Sequence, residues 1–189
     1  MLRILFALIW ASHAALAQDH SQPYAGFEAR SIKGLSPADI AELERGGGWG
    51  LALPAELNGR PGPAHVLELQ EALGLTAAQV QAITVIHDDM RSAAIAAGAR
   101  LIAAEAALSD AFAGPQLDAA TLQRLVEDAA AARGALRLVH LSRHLDTPAV
   151  LTPAQIARYA VLRGYADDPC AAVPDGHDPT MWRRHNGCD

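Results

Sequence analysis

Val, Ile, Phe and Tyr are scarce in this chain. Phe, Trp and Tyr number three each, while Ala dominates the central region; that balance disfavours sheet and favours helix. Positive charge is short as well, with 15 Lys and Arg against 21 Asp and Glu for a formal net charge of -6, which excludes the basic face that nucleic-acid binding requires. There is no Gly-rich phosphate loop, no H-E-x-x-H, and no Ser or Cys with a base placed to activate it, so catalysis is not expected. Gly46 to Gly50 is glycine-rich, yet it follows a helix-like stretch and lacks a Lys-Ser or Lys-Thr; it reads as a linker.

Long apolar runs are also missing. The run from Ile4 to Trp10 is far shorter than the ~20 residues that span a bilayer, and no later segment is expected to be polar-free enough to substitute. With Arg3 before it and Ala15-Leu16-Ala17 after it, residues 1–17 form a cleavable secretory leader, cut before Gln18. An uncleaved leader holding the chain at the inner membrane is the competing reading. Cleavage removes one Arg and no acid, leaving 14 basic against 21 acidic residues and a charge of -7. The remaining 172 residues suit one domain that buries about 70% of its unfolded surface.

What is present is helix punctuation. Residues 18–35 are polar and aperiodic, an extended arm. Ser36, with Pro37 next and Asp39 three residues on, opens a short helix that ends at Gly46–Gly48, and a loop follows through Trp49 and Pro54. After the turn signals Asn58-Gly59 and Pro61-Gly62-Pro63, His65 to Leu73 places Val66, Leu69 and Leu73 on one stripe, stopped by Gly74. No Pro interrupts Thr76 to Phe112, where Ile83, Met90, Ala94, Leu101, Leu108 and Phe112 recur at helical spacing, with Gly98 a tolerated weak point. Gly114-Pro115 breaks that helix. Asp118 caps a second run through Leu122, Leu125, Ala129, Leu136 and Val139 to Leu145, which Pro148 ends. A last helix starts at Thr152 and runs to about Leu162.

The expected fold is all-α: a long antiparallel helical hairpin with short flanking helices, an extended N-terminal arm and a stapled C-terminal tail. The divisions are 1–17 leader, 18–62 arm with one short helix, 63–164 hairpin domain and 165–189 tail. Only two cysteines occur, Cys170 and Cys188. They bracket the tail, and in an oxidising compartment they pair, contributing roughly 3 kcal/mol.

Folding back at Gly114-Pro115 sets His144 opposite His87, and His140 opposite Arg91, next to Met90. His140 and His144 are four apart on one helix face, a spacing used by zinc and copper sites. The short helix before Gly74 brings His65 within about a turn of His87. Four imidazoles and one thioether thus converge at the open end of the hairpin: His140, His144, His87, His65 and Met90. Imidazole suits zinc, nickel and copper, and the thioether favours copper. The bland account makes His87 a core residue with one satisfied hydrogen bond, His140 and His144 complements to a helix C-terminus, and Asp88, Asp89 and Asp146 solvated charges. In the tail, His177, Met181 and His185 recur every fourth residue, with Asp178-Pro179 able to start a helical turn; they form either a secondary soft-metal clip, joined by the thiols of Cys170 and Cys188 if these are reduced, or part of a stapled structural tail. Glu105, on the inward stripe, is expected to pair with Arg124 across the hairpin.

Two phrases, Leu75-Thr76-Ala77-Ala78-Gln79 and Leu151-Thr152-Pro153-Ala154-Gln155, are capping boxes in which Thr caps the helix and Gln reaches back to the cap residue. As a pair in an exported helical chain they resemble the L-T-x-x-Q motifs of the Spy/CpxP family of periplasmic proteins, which includes ATP-independent chaperones and CnrX-like heavy-metal sensors. The resemblance covers about Pro63 to Gly164. It implies a periplasmic homodimer formed by antiparallel crossing of the long helices, with metal bound through His, Glu and Met on the hairpin. It implies one of two functions: binding of a transition metal for sensing, buffering or resistance, with a membrane signalling partner, or a holdase for unfolded envelope proteins. Spy-like cradles tend to be basic, whereas this chain is acidic.

Overall fold

The computed structural model describes residues 22–188, so the leader and its cleavage site lie outside the described residues. Among the described residues seven α-helices follow one another and no strand occurs: α1 (Pro37–Glu44), α2 (Leu53–Glu56), α3 (Pro63–Glu68), α4 (Ala77–Ala113), α5 (Ala119–Asp146), α6 (Pro153–Leu162) and α7 (Pro179–Asn186). Four of them open on a proline, whose missing N–H costs nothing at the first helical position. The capping boxes form at Ser36/Asp39, Thr76/Gln79 and Thr152/Gln155, and Asp118 and Asp178 cap α5 and α7. α4 and α5 are the long antiparallel hairpin.

Two apolar clusters hold the helices together. One, along the middle of the hairpin, joins Ile32, Leu35, Leu43 and Leu51 to Ala94, Ala97 and Leu101 of α4 and Leu136 of α5. The other, at its open end, joins Val66, Leu73, Ile83, Leu151 and Tyr159. There the two capping glutamines meet: Gln79 Nε2 donates to Gln155 Oε1 at 2.8 Å and to the Val150 carbonyl at 2.9 Å, while Gln155 Nε2 returns a bond to Gln79 Oε1 at 3.2 Å. The repeated motif therefore joins the starts of α4 and α6 as well as capping each.

Several expectations are corrected. The segment after Ser21 is not an extended arm: it folds as turns and a 3₁₀ turn at Phe27–Ala29, because Ile32 and Leu35 have a core to enter. The loop after Trp49 contains α2. The helix expected to reach Leu73 stops at Glu68 and continues as turns to Gly74, which takes φ +59°. Phe112, at the hairpin tip, and Leu145, next to the buried His144 on α5, are exposed. Glu105 does not pair with Arg124, which instead meets Asp128 at 3.7 Å; the Glu105 carboxylate lies against Gly34. By length and composition α4 is apolar enough to cross a bilayer, contrary to expectation, because its many alanines raise hydropathy without bulk. Ile83, Met90, Ala94, Ala97 and Leu101 of that helix are buried in the helical assembly.

Gly98 is no weak point. A Cβ there would stand 2.8 Å from the Leu43 carbonyl oxygen and 3.4 Å from Leu43 Cβ, so α1 sits on α4 only because the side chain is absent. Gly98→Ala gains at most about 1 kcal/mol of helix propensity, but crowding a backbone that cannot yield costs ~1–3 kcal/mol. The expected result is a fall in thermal midpoint of about 2–8 °C by far-UV circular dichroism. A rise would mean that α1 is not seated there.

Candidate metal centre

Between the two apolar clusters α4 carries His87, Met90 and Arg91, and opposite them α5 carries His140 and His144. A cavity of about 530 Å³ opens at this level, walled by these residues, by the Gly46–Gly50 loop and by Glu56, Gly62 and His65 of α2, α3 and their approach. All five residues singled out from the sequence, His140, His144, His87, His65 and Met90, line this one cavity. Among the described residues no group of three or more His, Cys, Asp or Glu is placed to hold a metal ion.

The centre of the wall is a residue that the sequence reading passed over, Glu56. It is 4% exposed, in the last turn of α2. Its Oε1 accepts from the Tyr159 hydroxyl, lies 3.1 Å from His65 Nδ1, receives Tyr165 OH at 3.4 Å and has Arg163 Nε at 3.6 Å. Oε2 has no hydrogen-bond partner, and the nearest cationic candidate, His144 Nδ1, is 3.7 Å away. Burial alone would raise the Glu56 carboxyl, but the hydrogen bonds from His65 and Tyr159 outweigh it and hold the group below its ordinary range. The same burial and the same bond push the Tyr159 phenol far above its usual range.

His144 is fixed from both sides. Its Nδ1 is 2.6 Å from the Arg60 carbonyl, which requires Nδ1 to donate and leaves Nε2 with its lone pair when the ring is neutral. The ring lies over Gly62, where a Cβ would stand 2.6 Å from Nε2 and Cε1. His140, one turn earlier, is 3% exposed, and its Nε2 has no partner. Burial above all, then the neighbouring His144, hold its pKa below the ordinary value, against the opposing pull of the Gly47 backbone and Glu42. A neutral imidazole with a free ring nitrogen is the form that ligates metals.

The other candidates differ. His65 has both nitrogens engaged, Nδ1 with Glu56 and Nε2 with Arg163 Nη2 at 3.4 Å, so it braces the carboxylate. His87 is half-buried with Nδ1 3.2 Å from Asp88, and Met90 is buried. In the tail, Cys170 and Cys188 are bonded, which removes both thiolates as donors. His177 packs edge-on against Trp182 at 4.8 Å between centroids, the contact of a residue just before a cap with one in the first turn. Met181 is exposed, as is His185.

One wall is held in an unusual backbone state. Trp49 is the only described non-glycine residue with positive φ, +46°. Its N–H donates to Glu42 Oε1 at 2.9 Å and its indole Nε1 to Asp39 at 2.8 Å, and the Arg133 guanidinium lies 4.5 Å above its ring. Such conformations persist where their surroundings over-determine them.

A family model described as heavy-metal resistance matches residues 46–158. Neither a curated protein nor a solved structure matches the chain.

Proposed function

The chain belongs to the heavy-metal resistance family, and from that premise we propose that it takes up a transition metal ion in this cavity, for sensing, buffering or resistance. One observation carries the reading: two buried Lewis-basic atoms, Glu56 Oε2 and His140 Nε2, stand without partners on the wall that also holds His144. Leaving such groups unpaired costs roughly 1–3 kcal/mol each, and a cation is the ligand that satisfies both. His140, His144 and Glu56 are the proposed ligands, completed from α4 by His87 or Met90. The side chains must turn toward a common point to do this. Imidazole and carboxylate donors suit zinc, nickel and copper, and use of the Met90 thioether would favour copper. His65 and Tyr159 hold the carboxylate ionised.

The proposed setting is the periplasm, where the Cys170–Cys188 bond is at home, with a homodimer as the assembled form and a membrane protein as signalling partner. Calorimetric titration of the chelator-stripped protein with Zn²⁺, Ni²⁺ and Cu²⁺ tests the reading. Tight binding of at least one is expected, and His140→Ala combined with His144→Ala should cost more than the ~10–100-fold that outer partners typically contribute. Equal binding by the double variant would remove the site.

Exposed Phe112, Leu138 and Leu145, each about two-thirds accessible, favour a second reading as a holdase for unfolded envelope proteins. Aggregation suppression unaffected by chelator, and lost when these three become Ser, would support it.

A further inference from the structure

Glu56 faces two ways. Oε1 faces His65 of α3 and, through Tyr159, Arg163 and Tyr165, α6 and the residues just after it, whereas Oε2 is buried on the side of the cavity residue His144, 3.7 Å from its Nδ1. One negative charge serves both sides, and the partners on the α6 side include a cation. We propose that α6 is the element that reads the cavity: a cation engaging Glu56 Oε2 draws charge from Oε1, weakens its hold on Tyr159 and Arg163, and loosens the docking of α6. Metal and α6 compete for the same carboxylate, and Arg163 is repelled by the incoming charge besides.

The placement of α6 makes this loosening consequential. It follows α5 through the 3₁₀ turn Thr147–Val150, so it is the last element packed on the hairpin before the disulfide-stapled tail. Its remaining anchors are the Tyr159 ring and the half-buried Ile156 and Leu162 in the open-end cluster, the Gln79–Gln155 pair and the bond from Gln155 Nε2 to the Leu73 carbonyl at 3.4 Å. An anchor set this small leaves the Glu56 network a large share of the docking. The inference rests on the metal reading for what engages Oε2; the shared carboxylate does not depend on it.

Competition fixes a sign that a purely structural role for Tyr159 would not give. Because coupling is reciprocal, weakening the α6 side must tighten the metal side. The full chain is titrated with Zn²⁺, Ni²⁺ and Cu²⁺ separately, and hydrogen exchange is followed with and without whichever binds. The amides of α6 from Ala154 to Leu162 should exchange about threefold or more faster with metal bound, against unchanged exchange in α5. Tyr159→Phe and Arg163→Gln should each raise metal affinity about three- to tenfold and abolish the exchange difference. Slower or unchanged exchange in α6 on binding, or weaker binding in both variants, overturns the inference. If none of the three metals binds, the metal reading fails, and the relay is decided in the metal-free protein by a cycle of His144→Ala with Tyr159→Phe. A non-additive effect of about fivefold or more on the unfolding equilibrium sustains the coupling through Glu56, and additivity overturns it.

Discussion

Glu56→Ala is expected to lower the unfolding free energy by about 3 kcal/mol, the lower end of what removing one member of a buried charged pair costs, and the thermal midpoint followed by far-UV circular dichroism by roughly 6–12 °C for a chain of this size. The reason is what remains. Tyr159 is 1% exposed and its hydroxyl would be left with only its long 3.5 Å contact to His65 Nδ1, His65 would lose its closer partner at Nδ1, and the cluster of Val66, Ile83 and Leu151 would border a polar void. Arg163, with a side chain 30% exposed, can turn to water, which keeps the cost from rising further. Glu56→Gln preserves the volume and one acceptor oxygen and should cost less than half as much.

Acid should reproduce part of the effect in the wild type. Because the folded carboxyl titrates below the ordinary 4.5, the unfolded chain binds its proton first. The contribution is complete above about pH 4.5 and is lost as pH falls through the folded value. Glu56→Gln should flatten the stability-against-pH curve in that window. If the curve keeps its slope there, the carboxylate is not held ionised by Tyr159 and His65.

Local signals carried most of the fold into the sequence. Ser36, Thr76, Asp118, Thr152 and Asp178 each announce a helix through chemistry confined to four residues, and all five cap one. The hairpin register followed from the turn at Gly114-Pro115, and it was enough to bring His87, Met90, His140 and His144 to one cavity. Glu56 was illegible for the opposite reason. Nothing near it marks it as buried, since its α2 is a single turn and the hydroxyl that satisfies it is 103 residues away. Gly98 was misread likewise: a glycine needed for close approach looks, in sequence, like one merely tolerated, and the turn signal at Gly62 gave no hint that His144 lies against it. Trp49 gave no warning either, because its conformation is imposed jointly by Asp39, Glu42 and Arg133.

Gly62→Ala should damage the site more selectively than any ligand deletion. Residue 62 has φ -93°, which alanine adopts without strain, so its effect comes entirely from what a methyl meets. That methyl would fall 2.6 Å from both Nε2 and Cε1 of His144, an overlap the rigid imidazole can relieve only by rotating away from the Arg60 carbonyl. The ring is 8% exposed in its side chain, so there is little room to move. Overpacking of this kind costs about 1–3 kcal/mol, and a displaced ligand whose Nδ1–H has lost its acceptor should bind metal ~10–100-fold more weakly. Gly48→Ala is the matched control: it lines the same cavity, but nothing lies within 4 Å of its Cβ position, and a change within about 0.5 kcal/mol is expected. Calorimetry and thermal unfolding on the two variants separate a crowded imidazole from a crowded cavity. If both alanines bind metal as the parent does, His144 is not a ligand in the orientation its hydrogen bond to Arg60 dictates.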